Sequence, residues 1–174
     1  MNLVNIIYII VSILSIFLYV ISVQFKEKKN ILIIQTGASF CYLIVYIIKG
    51  ALSGIAIEII EGTKNLLFFK LEKDNKKIPL ILLIVFLLLL VIVSIVFYSG
   101  PLSLLPLMIN IILFISTYFK NPKYIRWVML LCGALWGIYN IYVEAFIIVI
   151  GNILEIISAS ISIIRFKENI KKED

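Results

Sequence analysis

Two carboxylates fall where an apolar chain has most reason to avoid them. Glu61 and Glu155 lie well inside hydrophobic stretches at about 51–69 and 145–164. A charge at mid-membrane costs several kcal/mol, about 2.5–3.5 even on permissive insertion scales. Such a side chain faces a watery cavity, finds a partner or takes up a proton. Lys64 follows Glu61 by three residues, on the same helical face, so the spacing predicts an intrahelical pair, with Glu58 one turn earlier on that face. Glu155 has no comparable cation within a turn, since Arg165 is ten residues further on. It is therefore the better acid for holding a proton or touching a substrate; a structural hydrogen bond made while protonated is the alternative. Trp136 and Asn140 sit one turn apart. An indole beside an amide can stack on a ring-shaped ligand while the amide bonds its rim. An interfacial Trp with a capping or inter-helix amide is the plainer reading.

The elements that must carry these groups are membrane helices. The chain has 174 residues, 63% of them hydrophobic, and a mean hydropathy of +1.14, which excludes a soluble domain. Seven apolar stretches can be drawn, at 3–23, 31–48, 51–69, 78–98, 103–119, 127–142 and 145–164. Each has about the 20 residues that cross a hydrocarbon core of about 30 Å. They are too long and too many for strands, and helices satisfy the backbone within lipid. Lysines and arginines gather in alternate gaps, at 26–29, 70–77, 120–126 and 165–172; of the 16, only Lys49 and Lys64 fall elsewhere. Positive charge resists translocation, so that face is expected to be cytoplasmic, with the N-terminus outside and the C-terminus inside. The same placement beside span ends explains the net charge of +6 without a nucleic-acid partner. The first stretch has no basic residue before it and no small-residue cleavage site after it, so it is expected to be a retained span. With no histidine and no paired cysteines, neither a zinc site nor a disulfide framework is expected; Cys41 and Cys132 read as buried thiols.

The chain also resembles itself at an offset of 94. ISVQFK at 21–26 aligns with ISTYFK at 115–120, Tyr42 with Trp136, Ile44 with Ile138, Ile47 with Ile141, and EIIE at 58–61 with NILE at 152–155. Three spans per copy, both copies running the same way, require one inverting span between them. The stretch at 78–98 is apolar on every face apart from Ser94 and Tyr98, as a lipid-facing connector would be. The expected architecture is an all-α, seven-span membrane protein: a first bundle over 1–77, a linker helix over 78–100, and a second bundle with a basic tail over 101–174. Polar residues recur at helical spacing on every span but the fourth. Span one has Tyr8, Ser12, Ser15, Tyr19 and Ser22; span two Gln35, Ser39, Tyr42 and Tyr46; span five Asn110 and Thr117. Small hydroxyl residues of span one read first as helix contacts.

This plan resembles the three-one-three transporters of the SWEET, PQ-loop and PnuC type, and more closely the bacterial inner-membrane YgjV family. The second half carries that resemblance, in LLPLMINIILFISTYF (104–119), IRWVMLLCGALWGIYNIY (125–142) and SIIRF (162–166); GASFCYLIVYIIKGALSG (37–54) and NLLFF (65–69) carry it more weakly in the first. The resemblance implies a membrane protein of the bacterial inner membrane. SWEET-like members use asparagine and tryptophan in their pockets and proline in their repeat hinges. Here span one lacks proline, and only Pro106 is placed to act as a hinge.

The expected function is a small-molecule transporter, moving a polar, sugar-like or nucleoside-like metabolite by alternating access. The candidate binding residues are Tyr42, Glu61, Asn65, Trp136, Asn140, Asn152 and Glu155, with Glu155 and Glu61 as proton-coupling candidates. No ATP-binding motif and no hydrolytic constellation appears, so neither a cofactor nor enzyme activity is expected. The competing reading is a noncatalytic membrane partner or assembly subunit. Expected partners are the bilayer and a small substrate; assembly with further copies of the chain stays open.

Overall fold

A computed structural model describes residues 3–98 and 100–167. It is all-helical: α1 (Leu3–Ser22), α2 (Lys28–Lys49), α3 (Leu52–Lys73), α4 (Leu80–Val96), a 3-10 turn at Pro101–Leu104 running into α5 (Leu105–Tyr118), α6 (Lys123–Tyr142) and α7 (Phe146–Lys167). Five are long and apolar enough to cross a membrane: α1, α2, the 3-10 turn with α5, α6 and α7. Among the described residues seven α-helices form, as expected, and two of them, α3 and α4, fall short of that measure. Helix α4 is apolar but has 17 residues, about 26 Å at 1.5 Å per residue, a little short of the hydrocarbon core. Helix α3 is long enough at 22 residues, but its charges dilute its hydropathy. Those charges are not on its outer face. Glu58, Glu61, Lys64 and Asn65 are buried, while Ile59, Leu66 and Leu67 are exposed. Averaging over all faces hides an apolar exterior. The basic tail expected beyond α7, with Lys171 and Lys172, lies outside the described residues.

The helices close a ring. Each packs against its sequence neighbours, α7 returns to α1, and α3 also touches α5. Helix α4 covers the α3–α5 seam. Its Leu83, Phe86, Leu90 and Ser94 are buried, and the Phe86 ring stands edge-on to Phe68 of α3 at 6.2 Å and Phe114 of α5 at 6.4 Å. The rest of its surface, including Ile81, Leu88, Ile92 and Ile95, is exposed, an apolar face suited to lipid.

Two tight turns, α2–α3 and α6–α7, share one hydrogen-bond pattern. Gly50 ends α2 with φ 66° and Glu144 ends α6 with φ 58°. Ala51 N–H bonds Tyr46 O at 3.0 Å, and Ala145 N–H bonds Asn140 O at 2.8 Å. Gly50 N–H reaches Ile47 O and Glu144 N–H reaches Ile141 O, both at 3.1 Å. Each pair of equivalents is 94 residues apart. Only the first turn has glycine for its left-handed residue; in the second a glutamate bears the steric cost of Cβ in that conformation. Replacing exposed Glu144 by glycine is therefore expected to stabilise the protein by about 1 kcal/mol. The check is the thermal midpoint in detergent, which should rise; a fall would show that the Glu144 side chain holds something.

The opposite end of the ring carries the basic residues, and they do more than sit at an interface. Lys28 is buried and pairs with Glu72 at 2.7 Å, tying the start of α2 to the end of α3. Arg126, in the first turn of α6, gives Nε to Val23 O at 3.1 Å and Nη2 to Phe25 O at 2.7 Å. Ser162 bonds Val23 O at 2.6 Å, and Gln24 Nε2 bonds both the carbonyl and hydroxyl of Ser158 at 2.8 Å. The α1–α2 connection is thus gripped by α6 and α7 through bonds to its otherwise unpaired carbonyls. Pro106, the one proline placed where a hinge could be, stands at a helix start. It occupies the first turn of α5, where a missing N–H breaks no helical bond.

Candidate polar cavity within the helix ring

Five helices send polar and aromatic side chains into one cavity near the turn end of the ring. Its walls include Tyr19 of α1, Tyr42 and Tyr46 of α2, and Glu58 and Glu61 of α3; α6 adds Trp136 and Asn140, and α7 adds Ile148, Asn152 and Glu155. The cavity itself is small, about 20 Å³, room for roughly one water and far below the roughly 300–1,000 Å³ of formed ligand pockets. Any organic ligand therefore requires the helices to part.

Helical spacing explains who faces inward. Tyr42 and Tyr46 are one turn apart on α2, Trp136 and Asn140 one turn apart on α6, and Asn152 and Glu155 three residues apart on α7. Between them runs a chain of hydrogen bonds. Tyr46 O–H donates to Asn140 Oδ1 at 2.9 Å, Asn140 Nδ2 to Asn152 Oδ1 at 3.0 Å, and Asn152 Nδ2 to Glu155 Oε2 at 3.4 Å. Tyr42 O–H closes on Glu155 Oε1 at 2.7 Å. Every donor points toward Glu155, which no cation among the described residues meets. In a low-dielectric interior such a series strengthens its members and orients the terminal acceptor. Glu61 has a looser partner, the Tyr19 hydroxyl at 3.5 Å.

The rings form a row beside this chain. Tyr19 stands edge-on to Tyr42 at 5.8 Å; Tyr42 and Tyr46, then Tyr46 and Trp136, lie near-parallel at 6.5 Å. Tyr139 is edge-on to both Tyr46 and Trp136. Tyr46 is also fixed from behind, because a Cβ on Gly54 would come within 2.8 Å of its ring. That glycine lets α3 approach α2 closely enough to aim the Tyr46 hydroxyl at Asn140.

Of the seven candidate binding residues, the structure gathers Tyr42, Glu61, Trp136, Asn140, Asn152 and Glu155 around the cavity. Asn65 is the exception. It is fully buried on α3, one turn beyond Glu61, with its amide beside that carboxyl but outside hydrogen-bond geometry, and it does not line the space. The expected Glu61–Lys64 pair is not made either. Lys64 is fully buried, but its Nζ swings across to α5, 3.3 Å from Thr117 Oγ1 and 3.9 Å from the centre of the Phe114 ring. A long flexible stem reached a hydroxyl and a ring face on the next helix. Helix α5 adds nothing to the cavity walls. Asn110 and Thr117 bond the carbonyls of Pro106 and Phe114 on their own helix. Sequence reading left Tyr19, Tyr46, Glu58 and Ile148 out of the site. The polar stripes on spans one and two, and the turn spacing of Glu58 and Glu61, were the signals for the first three. Ile148 gave none.

Helices of this length and apolarity, with their polar groups turned inward, define a multi-pass α-helical membrane protein. The chain belongs to the Imp-YgjV family, described as bacterial inner membrane protein, whose family profile matches residues 6–170. Neither a curated protein nor a solved structure matches the chain.

Proposed function

We propose that this protein is a small transporter of the bacterial inner membrane, and that the cavity is its substrate site. The observation that carries the reading is the hydrogen-bonded series ending on Glu155. Carboxyls and amides are expensive to hold in a membrane interior and persist there mainly where they face a ligand, an ion or a proton path. A scaffold has no need for polar walls on five helices around one space.

The repeat supports alternating access as the mechanism. Helix α3 shifted by 94 coincides with α7, and the two turns share their bonds. Two side-chain contacts join equivalent positions of α2 and α6: Gln35 Nε2 with Met129 Sδ at 3.3 Å, and Tyr46 with Asn140, each pair 94 apart. Contacts between equivalents are what a pseudo-twofold axis between two halves would give, and two of them along the same helices support an axis running with those helices. In this reading α1–α3 and α5–α7 are the moving halves and α4 is the lipid-facing link. The basic end faces the cytoplasm, with the N-terminus outside. The gripped α1–α2 connection is then the closed inner side, and the cavity belongs to the outer half. Glu155 and Glu61 are the proton carriers, and no bond-making step is involved.

Counterflow or uptake in proteoliposomes tests this directly. Saturable flux of one member of a broad panel of small polar solutes, driven or stimulated by a pH gradient, is the expected result. No flux of any of them would leave the noncatalytic-partner reading in its place.

A further inference from the structure

The walls of the cavity state what charge its occupant carries. Three carboxyls, Glu58, Glu61 and Glu155, line it together with four aromatic rings, and no lysine or arginine does. The one ammonium within reach along α3, that of Lys64, is turned away onto Phe114 and Thr117. Glu58 is the least answered of the three. It is 5% exposed, and among the described residues neither a cation nor an amide meets it; the Ser39 hydroxyl and the Glu61 carboxyl are its neighbours. A neutral sugar would leave these acids uncompensated, and an anion would be repelled.

From this we infer that the cavity selects a small monovalent organic cation, of the ammonium or guanidinium kind with apolar substituents, which exchanges against protons on Glu58, Glu61 and Glu155. The inference rests on the cavity being a transport site and adds its substrate class. Carboxylates attract such an ion strongly in a low dielectric, and ring faces attract a diffuse cation through their quadrupole while accommodating its methyl or methylene groups. A hard metal ion asks for converging oxygen ligands, and among the described residues no three carboxylate or thiol groups are close enough to hold one. The other titratable groups facing the carboxyls are the phenols of Tyr19 on α1 and of Tyr42 and Tyr46 on α2, and the Cys132 thiol and Tyr139 phenol on α6. None of these carries positive charge, and Lys64, whose field reaches Glu61, does not line the cavity, so an entering cation is balanced by departing protons.

Trp136 makes the test direct, since the chain has only two tryptophans and Trp127 is half-exposed on the outside of α6. In a Trp127→Phe protein in detergent, Trp136 emission is titrated with choline and with 3,3-dimethylbutan-1-ol, its uncharged isostere. Tetramethylammonium, guanidinium, potassium, glucose and uridine complete the set. Choline or another organic cation should give a saturable change at least about tenfold tighter than the isostere. Acidification should weaken it in the otherwise unaltered cavity, and Glu58→Gln should weaken it as well. Equal binding of the isostere, equal competition by potassium, or no saturable response to any organic cation would overturn the inference. Cation binding without flux in vesicles would remove the transporter reading and keep this one. Flux of a neutral solute without cation binding would do the reverse.

Discussion

Glu155→Gln is expected to weaken substrate binding and flatten the pH dependence of transport while leaving the fold standing. Glutamine keeps the volume and still accepts the Tyr42 hydroxyl, now 2.7 Å from Glu155 Oε1. Its amide nitrogen would face Asn152 Nδ2, but that bond is the longest of the series at 3.4 Å, and little is lost there. What disappears is the exchangeable proton and the negative charge. A hydrogen bond to a charged group contributes about 1.5–3 kcal/mol, so substrate affinity at neutral pH should fall by about 10- to 150-fold. The sign of the pH effect follows from the exchange. In the parent, uptake of a cation is favoured when protons can leave, at higher pH, and is suppressed as acid returns them. In the variant that slope should flatten toward the contribution of Glu58 and Glu61. Retention of the parent pH profile in proteoliposomes would remove Glu155 from the coupling path.

Arg126→Ala should be the costliest single change in stability. The guanidinium is nearly buried, at 4% exposed. It holds two backbone carbonyls of the α1–α2 connection and lies 4.2 Å from the centre of the Phe166 ring. Truncation leaves Phe25 O without that donor, whereas Val23 O keeps Ser162. Losing two charge-assisted bonds, offset by the one retained partner and some water entry, should cost about 3 kcal/mol. For a chain of this size the thermal midpoint should fall by roughly 5–10 °C. Arg126→Lys should recover only part, because an ammonium lacks the fork that reaches both carbonyls. A midpoint within a degree of the parent would show that Ser158, Ser162 and Gln24 hold the connection without it.

How the helices meet explains which sequence expectations needed correction. Inward-facing residues on one helix were readable where spacing alone decides: Tyr42, Trp136, Asn140, Asn152 and Glu155 each recur on a polar stripe and each reach the cavity. Spacing specifies a face, not its rotation against a neighbour. Asn65 shares the face of Glu61 but lies a turn too far toward the basic end, whereas Tyr19 enters because α1 brings it over Tyr42. Lys64 could be placed on that face, but not its terminal nitrogen. Several rotatable bonds gave it a choice between a carboxylate and the ring of Phe114, and the proximity of α5 made the choice. The sequence places Pro106 in the fifth span; only the structure puts it in the first turn of α5.

Amino-acid order by itself determined that this chain is helical and membrane-embedded, and that all its basic residues but Lys49 and Lys64 gather in alternate gaps between the helices. Apolarity and the refusal of charge to enter lipid act on each segment locally, without reference to the others. The offset of 94 belongs to the same category, since it repeats local turn chemistry. Tertiary structure alone decided that five helices converge on one space, that no cation among the described residues faces it, and that its three carboxyls look on the same rings. Those outcomes depend on how each helix is turned against its neighbours, and that rotation is set by packing over the whole ring.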